Sequence, residues 1–267
     1  MKIFKRKNII FIIFIMISNI CISFELKENI HLGEFNIANL NSILKKADKM
    51  ADSNTKIKFI SAMFKGISYK KNTLSSSNSQ ETLIVNLEGM DCFTYLDYIE
   101  AFRRSVSFSD FLINLKAVRY KKGKVHYFTR NHFFTNWQLS NKDYIEDVTS
   151  KIGAYKTRMV TKFLNKKKNG HLYIPKIMIT KVSRTFIPSR LIDKNIISKL
   201  KNGDYIGIYS RKLGLDVSHV GILIKHHGKF LFRHASSLNR YKKVIDSDFL
   251  KYISTQTGIV VFRVKAL

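Results

Sequence analysis

The most informative segment of the sequence is Leu87-Glu88-Gly89-Met90-Asp91-Cys92-Phe93-Thr94-Tyr95-Leu96, in which an Asp-Cys pair follows a glycine-containing turn. An apolar residue then recurs at every third position, at Phe93, Leu96, Ile99 and Phe102. This spacing predicts a helix with one apolar face that runs to about Arg104. Cys92 would lie in its first turn, where unpaired N–H groups and the helix dipole favour an anion, so we expect a lowered thiol pKa and a nucleophilic thiolate. The alternative is a packing role, because Cys is among the most buried residue types.

The first 23 residues have the three parts of a secretory signal peptide. A lysine- and arginine-rich start precedes the apolar run Ile9 to Ile17, and Cys21 and Ser23 supply small residues at a cleavage site. The run is short for a membrane-spanning helix, which needs about 20 residues. We therefore expect export to the periplasm or the extracellular face of the cell envelope, with no stable membrane span after cleavage. A retained anchor is the alternative.

Export changes the meaning of the cysteine content. The chain has two cysteines, Cys21 and Cys92, and loss of residues 1–23 would leave only Cys92. A single thiol in an oxidising compartment cannot be half of an internal disulfide. Cys92 is then either buried and inert or present for its reactivity.

The chain is strongly basic, with a formal charge of +28. A charge this large favours an anionic partner such as nucleic acid, a membrane surface or an anionic polymer. For an exported protein we expect the cell wall and its anionic surroundings rather than nucleic acid. A hydrophobic content of 45% excludes a globally disordered chain.

The order of the predicted elements is typical of an α+β fold. Residues 24–80 form a helical lead-in, with Asn39 or Asn41 capping its first helix. A hairpin is predicted around Lys122-Gly123 and mid-chain helices around 143–152 and 157–166. Four closely spaced strands follow, at Tyr205 to Tyr209, His219 to Lys225, Lys229 to His234 and Gly258 to Val264. Close spacing with tight turns implies an antiparallel sheet, so helices are followed by a small sheet within a main domain of residues 81–267.

Two of the eight histidines are predicted to meet at one edge of this sheet. His219 begins and His234 ends a hairpin that turns at His227-Gly228, so antiparallel pairing brings their rings side by side. A hydrogen bond between the rings would fix the tautomer of His219. A base that activates a thiol needs such a fixed tautomer. The alternative is that each histidine is only structural.

Other catalytic chemistries have no matching motif. The sequence contains no HExxH and no CxxC, and its histidine spacings fit no standard zinc site. It also has no GxSxG elbow and no glycine-rich phosphate loop. We therefore predict no metal site and no cofactor.

Several motifs resemble those of the N-acetylmuramoyl-L-alanine amidase-like family, a branch of the NlpC-type, papain-like cysteine hydrolases. Residues 85–94 resemble its nucleophile motif, 214–222 its histidine motif and 234–237 its third, polar motif. The stretch from Arg130 to Trp137 is similar to the aromatic segment between them. The matches run in family order from about residue 66 to 245, and the basic insertions around 163–170 depart from the family.

The resemblance implies a papain-like, NlpC-type fold in which the nucleophile helix packs on a small antiparallel sheet, with added N-terminal and mid-chain helices. It implies that Cys92 is the nucleophile, that His219 is the general base and then acid, and that His234 orients His219. It also implies a substrate groove lined by Asp91, Thr94, Arg130, His132, Trp137 and Ser218. The expected reaction is hydrolysis, through a thioester, of the amide between the lactyl group of N-acetylmuramic acid and L-alanine in peptidoglycan or muropeptides.

Two alternatives to this function stay open. The first is a peptidoglycan endopeptidase that cuts within the stem peptide, between D-Glu and the diamino acid. The second is a non-enzymatic basic protein that binds an anionic wall polymer. The sequence carries no indication of the oligomeric state.

Overall fold

A computed structural model of the protein describes residues 29–265, so the predicted signal peptide lies outside the described residues. The helices, in chain order, are α1 Ile37–Asp48, α2 Ser53–Met63, α3 Cys92–Arg103, α4 Phe108–Arg119, α5 Phe134–Ser140, α6 Thr149–Gly153, α7 Lys194–Lys199 and α8 Phe249–Ser254. The strands are β1 Asn29–His31, β2 Ser68–Tyr69, β3 Ile84–Asn86, β4 Gly89–Met90, β5 Ile145–Asp147, β6 Arg158–Leu164, β7 Thr180–Pro188, β8 Tyr205–Tyr209, β9 Val217–His226, β10 Lys229–Ala235, β11 Val244–Asp248 and β12 Gly258–Val264.

Within residues 29–265 the main sheet has eight strands, seven in the order β11-β10-β9-β8-β12-β7-β6 and an eighth, β5, that also pairs with β12. Every pairing within it is antiparallel. Two short parallel pairs, β1 with β3 and β2 with β4, lie outside it. The predicted combination of helices with an antiparallel sheet is confirmed, but the sheet is larger than the four strands that the sequence indicated.

The β9–β10 hairpin has the turn that the sequence predicted. His226 pairs with Lys229 across the two residues His227 and Gly228, whose φ angles are 46° and 74°. Positive φ at both central residues is what a two-residue hairpin turn needs to match the twist of its strands. This turn fixes the register that brings the two ends of the hairpin together.

The helix α3 lies in the centre of the larger hydrophobic core. Leu96 and Phe102 of α3 pack in one cluster with Leu44 of α1 and Val220 of β9. The lead-in helices therefore share a core with the segment that carries Cys92. Burial of these apolar side chains, at about 25 cal/mol per Å², is the main force that holds α3 against the sheet.

A buried polar network also anchors α3. Asp97 accepts hydrogen bonds from Arg119 Nε at 2.9 Å and from Trp137 Nε1 at 3.0 Å, and all three side chains are buried. A buried ion pair is stabilising only when its remaining donors and acceptors are satisfied. The indole N–H satisfies the second carboxylate oxygen of Asp97, and Arg119 Nη1 donates to the carbonyl oxygen of Ile84 at 2.6 Å, whereas Arg119 Nη2 has no hydrogen-bond partner among residues 29–265. The satisfied groups of this network tie α3 to α4 and α5.

Three local predictions are wrong, and a fourth, the helix at 143–152, is only partly right. Residues 157–166 form strand β6 rather than a helix, because β6 pairs along its whole length with β7 and its buried and exposed side chains alternate with a period of two from Thr161 to Leu164. Residues 143–152 form a short strand and the five-residue α6. The Lys122-Gly123 segment is a short 3₁₀ turn, and the cap of α1 is Asn36 rather than Asn39 or Asn41.

None of the helices within residues 29–265 is long and apolar enough to cross a bilayer.

Candidate active site

Cys92 is the first residue of α3, and a capping box holds it there. Asp91 Oδ1 accepts hydrogen bonds from the N–H groups of Phe93 at 3.0 Å and Thr94 at 2.7 Å, while Thr94 Oγ1 accepts from the Asp91 N–H at 3.0 Å. Such reciprocal bonds satisfy the free donors at a helix start. The cap uses the amides on both sides of Cys92 and does not use the Cys92 amide itself.

The electrostatic surroundings of Cys92 differ from those that the sequence predicted. Burial, followed by the charge of Asp91, raises the pKa of the Cys92 thiol to about 12. The amides of Val220, Cys92 and Phe93 act in the opposite direction, as expected at a helix start, but they do not dominate. The expectation of a lowered pKa is therefore wrong, and the resting sulfur is a neutral thiol that needs a base.

The predicted histidine pair is present at the end of the hairpin. His219 Nε2 lies 2.7 Å from His234 Nδ1, and His234 Nε2 lies 3.1 Å from Ser247 Oγ. The hydrogen bond between the rings is confirmed. Burial lowers the pKa of His219 to about 3, with a further contribution from His234, and burial lowers the pKa of His234 to about 4. Both imidazoles are therefore neutral at neutral pH.

The Cys92 sulfur lies against the strand that carries His219. The backbone N–H of Val220, the next residue after His219, is within hydrogen-bonding reach of the sulfur and favours its anionic form. The contact between α3 and β9 therefore brings a nucleophile from the first half of the chain to a base from the second half.

A cavity of about 990 Å³ opens beside the histidine pair. Its lining includes Ser218, His219, His234 and Tyr252, together with residues of β11 and the loop after β10. Cys92 does not itself line this cavity, but its charge would act on Tyr252, whose pKa is raised to about 12 mainly by burial and also by Cys92. A cleft with a few converging polar groups is the usual form of a substrate site.

Two tyrosines at this site were not predicted from the sequence. The Tyr252 ring centroid lies 5.3 Å from that of His234 and 6.3 Å from that of His219. Tyr69 is in electrostatic contact with Cys92 and Asp91, and burial raises its pKa to about 12. Tyr69 belongs to β2, which pairs with β4, and β4 ends two residues before Cys92. No local pattern marks either residue, since β2 and α8 reach the site only through tertiary packing.

The structure brings some of the predicted substrate-groove residues to the site and not others. Ser218 is exposed and lines the cavity, and Asp91 is partly exposed beside Cys92. Thr94 is 2% exposed and Trp137 0% exposed. Their side chains serve the helix cap and the Asp97 network, so the structure gives no support for contact between either of them and a substrate.

Arg130 and His132 lie away from the lining of the cavity. Arg130 Nη1 forms an ion pair with Glu81 at 3.2 Å, and His132 Nε2 lies 3.0 Å from the carbonyl oxygen of Tyr127. Burial lowers the pKa of His132 to about 4. Their proposed contact with the substrate stays a prediction. Within residues 29–265, no three His, Cys, Asp or Glu side chains are grouped as metal ligands.

A model of the AmiA-like family, described as N-acetylmuramoyl-L-alanine amidase-like, matches residues 59–259. This range covers about three quarters of the chain and includes Cys92, His219 and His234. The chain belongs to the AmiA-like family. Curated proteins gave no match to it.

Solved structures share the fold of this AmiA-like chain. A Legionella pneumophila protein of the DUF1460 family matches with a TM-score of 0.72 and 23% identity, over 86% of this chain and 95% of that one. An N-acetylmuramoyl-L-alanine amidase from Bacteroides uniformis matches with a TM-score of 0.67 and 24% identity, over 80% and 99%. A Bacteroides fragilis protein named as a candidate xylanase matches with a TM-score of 0.62 and 26% identity, over 76% and 98%.

Proposed function

We propose that this chain is an exported cysteine amidase that hydrolyses the N-acetylmuramoyl-L-alanine amide of peptidoglycan or muropeptides. The observation that carries the proposal is the placement of Cys92 at the start of α3, against the strand of a His219 ring that is hydrogen-bonded to His234. Membership of the AmiA-like family supports the amidase reaction and a peptidoglycan-type substrate.

The hydrogen-bond chain allows a tautomer arrangement in which His219 can act as a base. Ser247 Oγ can accept from His234 Nε2–H, which leaves His234 Nδ1 as an acceptor for His219 Nε2–H. In that arrangement His219 Nδ1 carries a lone pair and can take a proton. Fixing the tautomer of the base is the role that the third member of a catalytic triad performs.

The reaction follows in two steps. Cys92 transfers its proton to His219 as the sulfur bonds to the lactyl carbonyl carbon, and His219 then gives this proton to the L-Ala nitrogen as the C–N bond breaks. Water, deprotonated by His219, attacks the thioester and releases the muramoyl carboxylic acid and the free thiol. Because the resting thiol and imidazole are both neutral, the proton moves during the attack.

Donors for the developing oxyanion are available beside the sulfur. The Cys92 N–H is not used by the helix cap and lies at the positive end of the helix dipole. The hydroxyl groups of Tyr69 and Tyr252 are protonated at neutral pH, with pKa values raised to about 12, so each can donate a hydrogen bond. Oriented donors of this kind stabilise the tetrahedral intermediate. Ser218 and Asp91 would contact the substrate beside them.

We also propose that the chain belongs to the NlpC-type, papain-like branch and that residues 1–23 direct its export. The first proposal is supported by a nucleophile on a helix that packs against an antiparallel sheet carrying the base. The second is supported by the positive, apolar and small-residue parts of the N-terminal sequence. A wall substrate would be met only outside the cytoplasm.

A glycosidase, which the name of the Bacteroides fragilis structure raises, would need two carboxyl groups facing one another across the substrate. The two carboxylates of the cavity are already engaged. Asp246 forms ion pairs with Arg233 at 2.7 Å and Lys65 at 3.2 Å, and Asp248 Oδ1 caps α8 through the Lys251 N–H. The site therefore favours thiol chemistry over glycoside hydrolysis.

Mass spectrometry of digested muropeptides tests the proposal. We expect the purified protein, with residues 1–23 removed, to release intact stem peptides that begin with L-Ala. Cys92→Ala should lose this cleavage by at least about 10⁴-fold, because the nucleophile is removed, while it still binds the muropeptide. Fragments that begin with the diamino acid would assign the endopeptidase reaction instead. Full cleavage by Cys92→Ala would show that Cys92 carries no chemistry.

A further inference from the structure

A second cavity, of about 480 Å³, is lined by three arginines from separate parts of the chain. Arg158 begins β6, Arg190 lies in the turn after β7, and Arg211 follows β8 in the loop that leads to His219. The remaining lining residues are Phe186, Pro188, Ser189, Tyr209, Ser254, Gln256 and Thr257, and none of them is acidic. The cavity therefore concentrates positive charge that its own walls do not neutralise. We call it the arginine cavity.

The guanidinium groups of the arginine cavity are not engaged by carboxylates. In the part of the chain that the structure describes, neither Arg190 nor Arg211 has an ion pair or a side-chain hydrogen bond, and Arg158 donates only to the carbonyl of Thr157 at 2.7 Å. The neighbouring carboxylate of Asp193 is held by Lys156 and by the cap of α7. Arginine presents a planar fork of donors that matches carboxylate and phosphate oxygens.

An orphaned hydroxyl group also lies in this cavity. Ser189 Oγ is buried and has no hydrogen-bond partner among residues 29–265. Buried polar atoms in folded proteins are normally satisfied, so this hydroxyl group keeps its hydrogen-bonding capacity for a molecule held in the cavity. Phe186 and Tyr209, stacked with ring centroids 3.8 Å apart, form an aromatic wall, and Arg211 acts electrostatically on the Tyr209 hydroxyl. The cavity thus combines a flat apolar wall with anion-binding groups.

The arginine cavity adjoins the cavity beside the histidine pair. Gln256 lines both cavities. Thr255, the residue before it, lines the cavity beside the histidine pair, and Thr257, the residue after it, lines the arginine cavity. In addition, Ile208 and His219 are directly paired between β8 and β9, so the Tyr209–Arg211 segment continues from the strand next to the base. A substrate held at His219 could therefore extend past Gln256 towards the three arginines.

We propose that the arginine cavity is a subsite that binds a carboxylate of the peptidoglycan stem peptide during cleavage. The stem peptide carries free carboxylates on its D-Glu and diamino-acid residues, and it is the part of the substrate that leaves as the amine. Arg190 and Arg211 bind the carboxylate, Ser189 Oγ donates to it, and the aromatic wall packs against the aliphatic part of the peptide. This proposal rests on the proposed function and adds to it a preference for anionic stem peptides.

Binding to the inactive protein tests the subsite without hydrolysis. Isothermal titration of Cys92→Ala with an N-acetylmuramoyl tripeptide, and with the same compound after amidation of its carboxylates, compares the two ligands directly. Adding Arg190→Gln and Arg211→Gln together should weaken binding of the carboxylate form about 100-fold, roughly tenfold for each arginine, and leave the amidated form within about twofold. Lys142→Gln with Lys168→Gln is the matched control, since both lysines are exposed outside the two cavities and the change in charge is the same.

Kinetics of the active protein provide a second measurement. The Arg190→Gln, Arg211→Gln variant should have a higher KM for the carboxylate substrate and largely retain kcat, because the removed contacts are equal in the ground and transition states.

Equal weakening of binding for the carboxylate and amidated ligands, or a loss of affinity no greater than in the lysine control, would overturn the proposal. So would selective binding of a glycerol phosphate oligomer through these arginines. Absence of hydrolysis in the active protein, with the binding difference intact, would overturn the proposed function and leave the anion subsite standing.

Discussion

The start of α3 and the β9–β10 hairpin hold the two halves of the site in different ways. Cys92 is positioned locally, by a capping box within residues 91–94. His219 and His234 are positioned by strand register and by their contact with each other. Burial nevertheless has the same consequence in both places. It raises the pKa of the thiol to about 12 and lowers those of the imidazoles to about 3 and 4, so both partners are neutral.

The local capping box fixes where Cys92 lies, whereas tertiary packing fixes its charge. At an exposed helix start the dipole would favour the thiolate. Here desolvation and Asp91 outweigh that effect, since the whole site is formed between α3 and the sheet. A neutral resting pair also has a chemical consequence, because the base and the sulfur must act in one concerted step.

After loss of the nucleophile itself, the largest expected effect comes from removing the base. His219→Ala should lower kcat/KM about 10³-fold, since general base catalysis is typically worth 10²- to 10⁴-fold. His226→Ala, at the exposed turn of the same hairpin, is the control and should stay within about twofold. Muropeptide cleavage rates for the two variants, with thermal unfolding to verify folding, give the measurement. Equal rates in the two variants would remove His219 from the mechanism.

The anchoring of α3 is tested by Asp97→Ala. The substitution leaves the buried Arg119 without its carboxylate partner and the Trp137 N–H without an acceptor, so it should lower the free energy of unfolding by about 3–5 kcal/mol. Denaturant unfolding measures this change. Glu34→Ala, which removes an exposed carboxylate, should change it by less than about 0.5 kcal/mol. A similar result for both variants would mean that the network does not hold the helix.

The role of His234 can be separated from general packing. His234→Ala removes the acceptor for His219 Nε2–H and should lower kcat/KM about 10- to 100-fold, less than the loss of the base itself. His234→Asn keeps an acceptor oxygen and should recover most of this loss. Steady-state kinetics of both variants distinguish tautomer fixing by His234 from packing. If Asn is no better than Ala, His234 acts by filling space rather than by fixing a tautomer.

The smallest expected effect is the change in kcat/KM between pH 7 and pH 5, which reports the protonation of His219. His219 acts as a base only when neutral, and it becomes protonated as the pH falls through its pKa. Because this pKa is lowered from 6.5 to about 3, kcat/KM should remain within about twofold between pH 7 and pH 5. An acid limb with its midpoint near pH 6.5 would show that the imidazole is not desolvated as the structure indicates.

The parts of the fold that the sequence predicted are those governed by nearby residues. The start of α3 at Cys92 is set by the cap that Asp91 and Thr94 form, and the hairpin turn is set by His227 and Gly228, so local pattern was enough to predict where the helix starts and where the hairpin turns. Strand β6 was predicted as a helix because its state is decided by pairing with β7, about 20 residues away. Its own sequence does not contain that information.

The candidate site shows the same division. Cys92, His219 and His234 were predicted because each stands at the end of a recognisable element. Tyr69, Tyr252 and the arginine cavity were not, because their segments meet only after the sheet and α8 have packed. Conversely, Trp137 was predicted in the groove because its segment is similar to an aromatic stretch of the family, yet packing buries it beside Asp97. Burial was the quantity that the sequence could not supply.

Trapping of the acyl intermediate would show which carbonyl carbon Cys92 attacks. Hydroxylamine added during muropeptide hydrolysis competes with water for a thioester, and mass spectrometry identifies the hydroxamate that forms. We predict a muramoyl hydroxamate that carries no amino acids, formed by the native protein and absent with Cys92→Ala. A hydroxamate that retains L-Ala and D-Glu, or cleavage that yields only the free acid, would contradict attack by Cys92 on the lactyl amide.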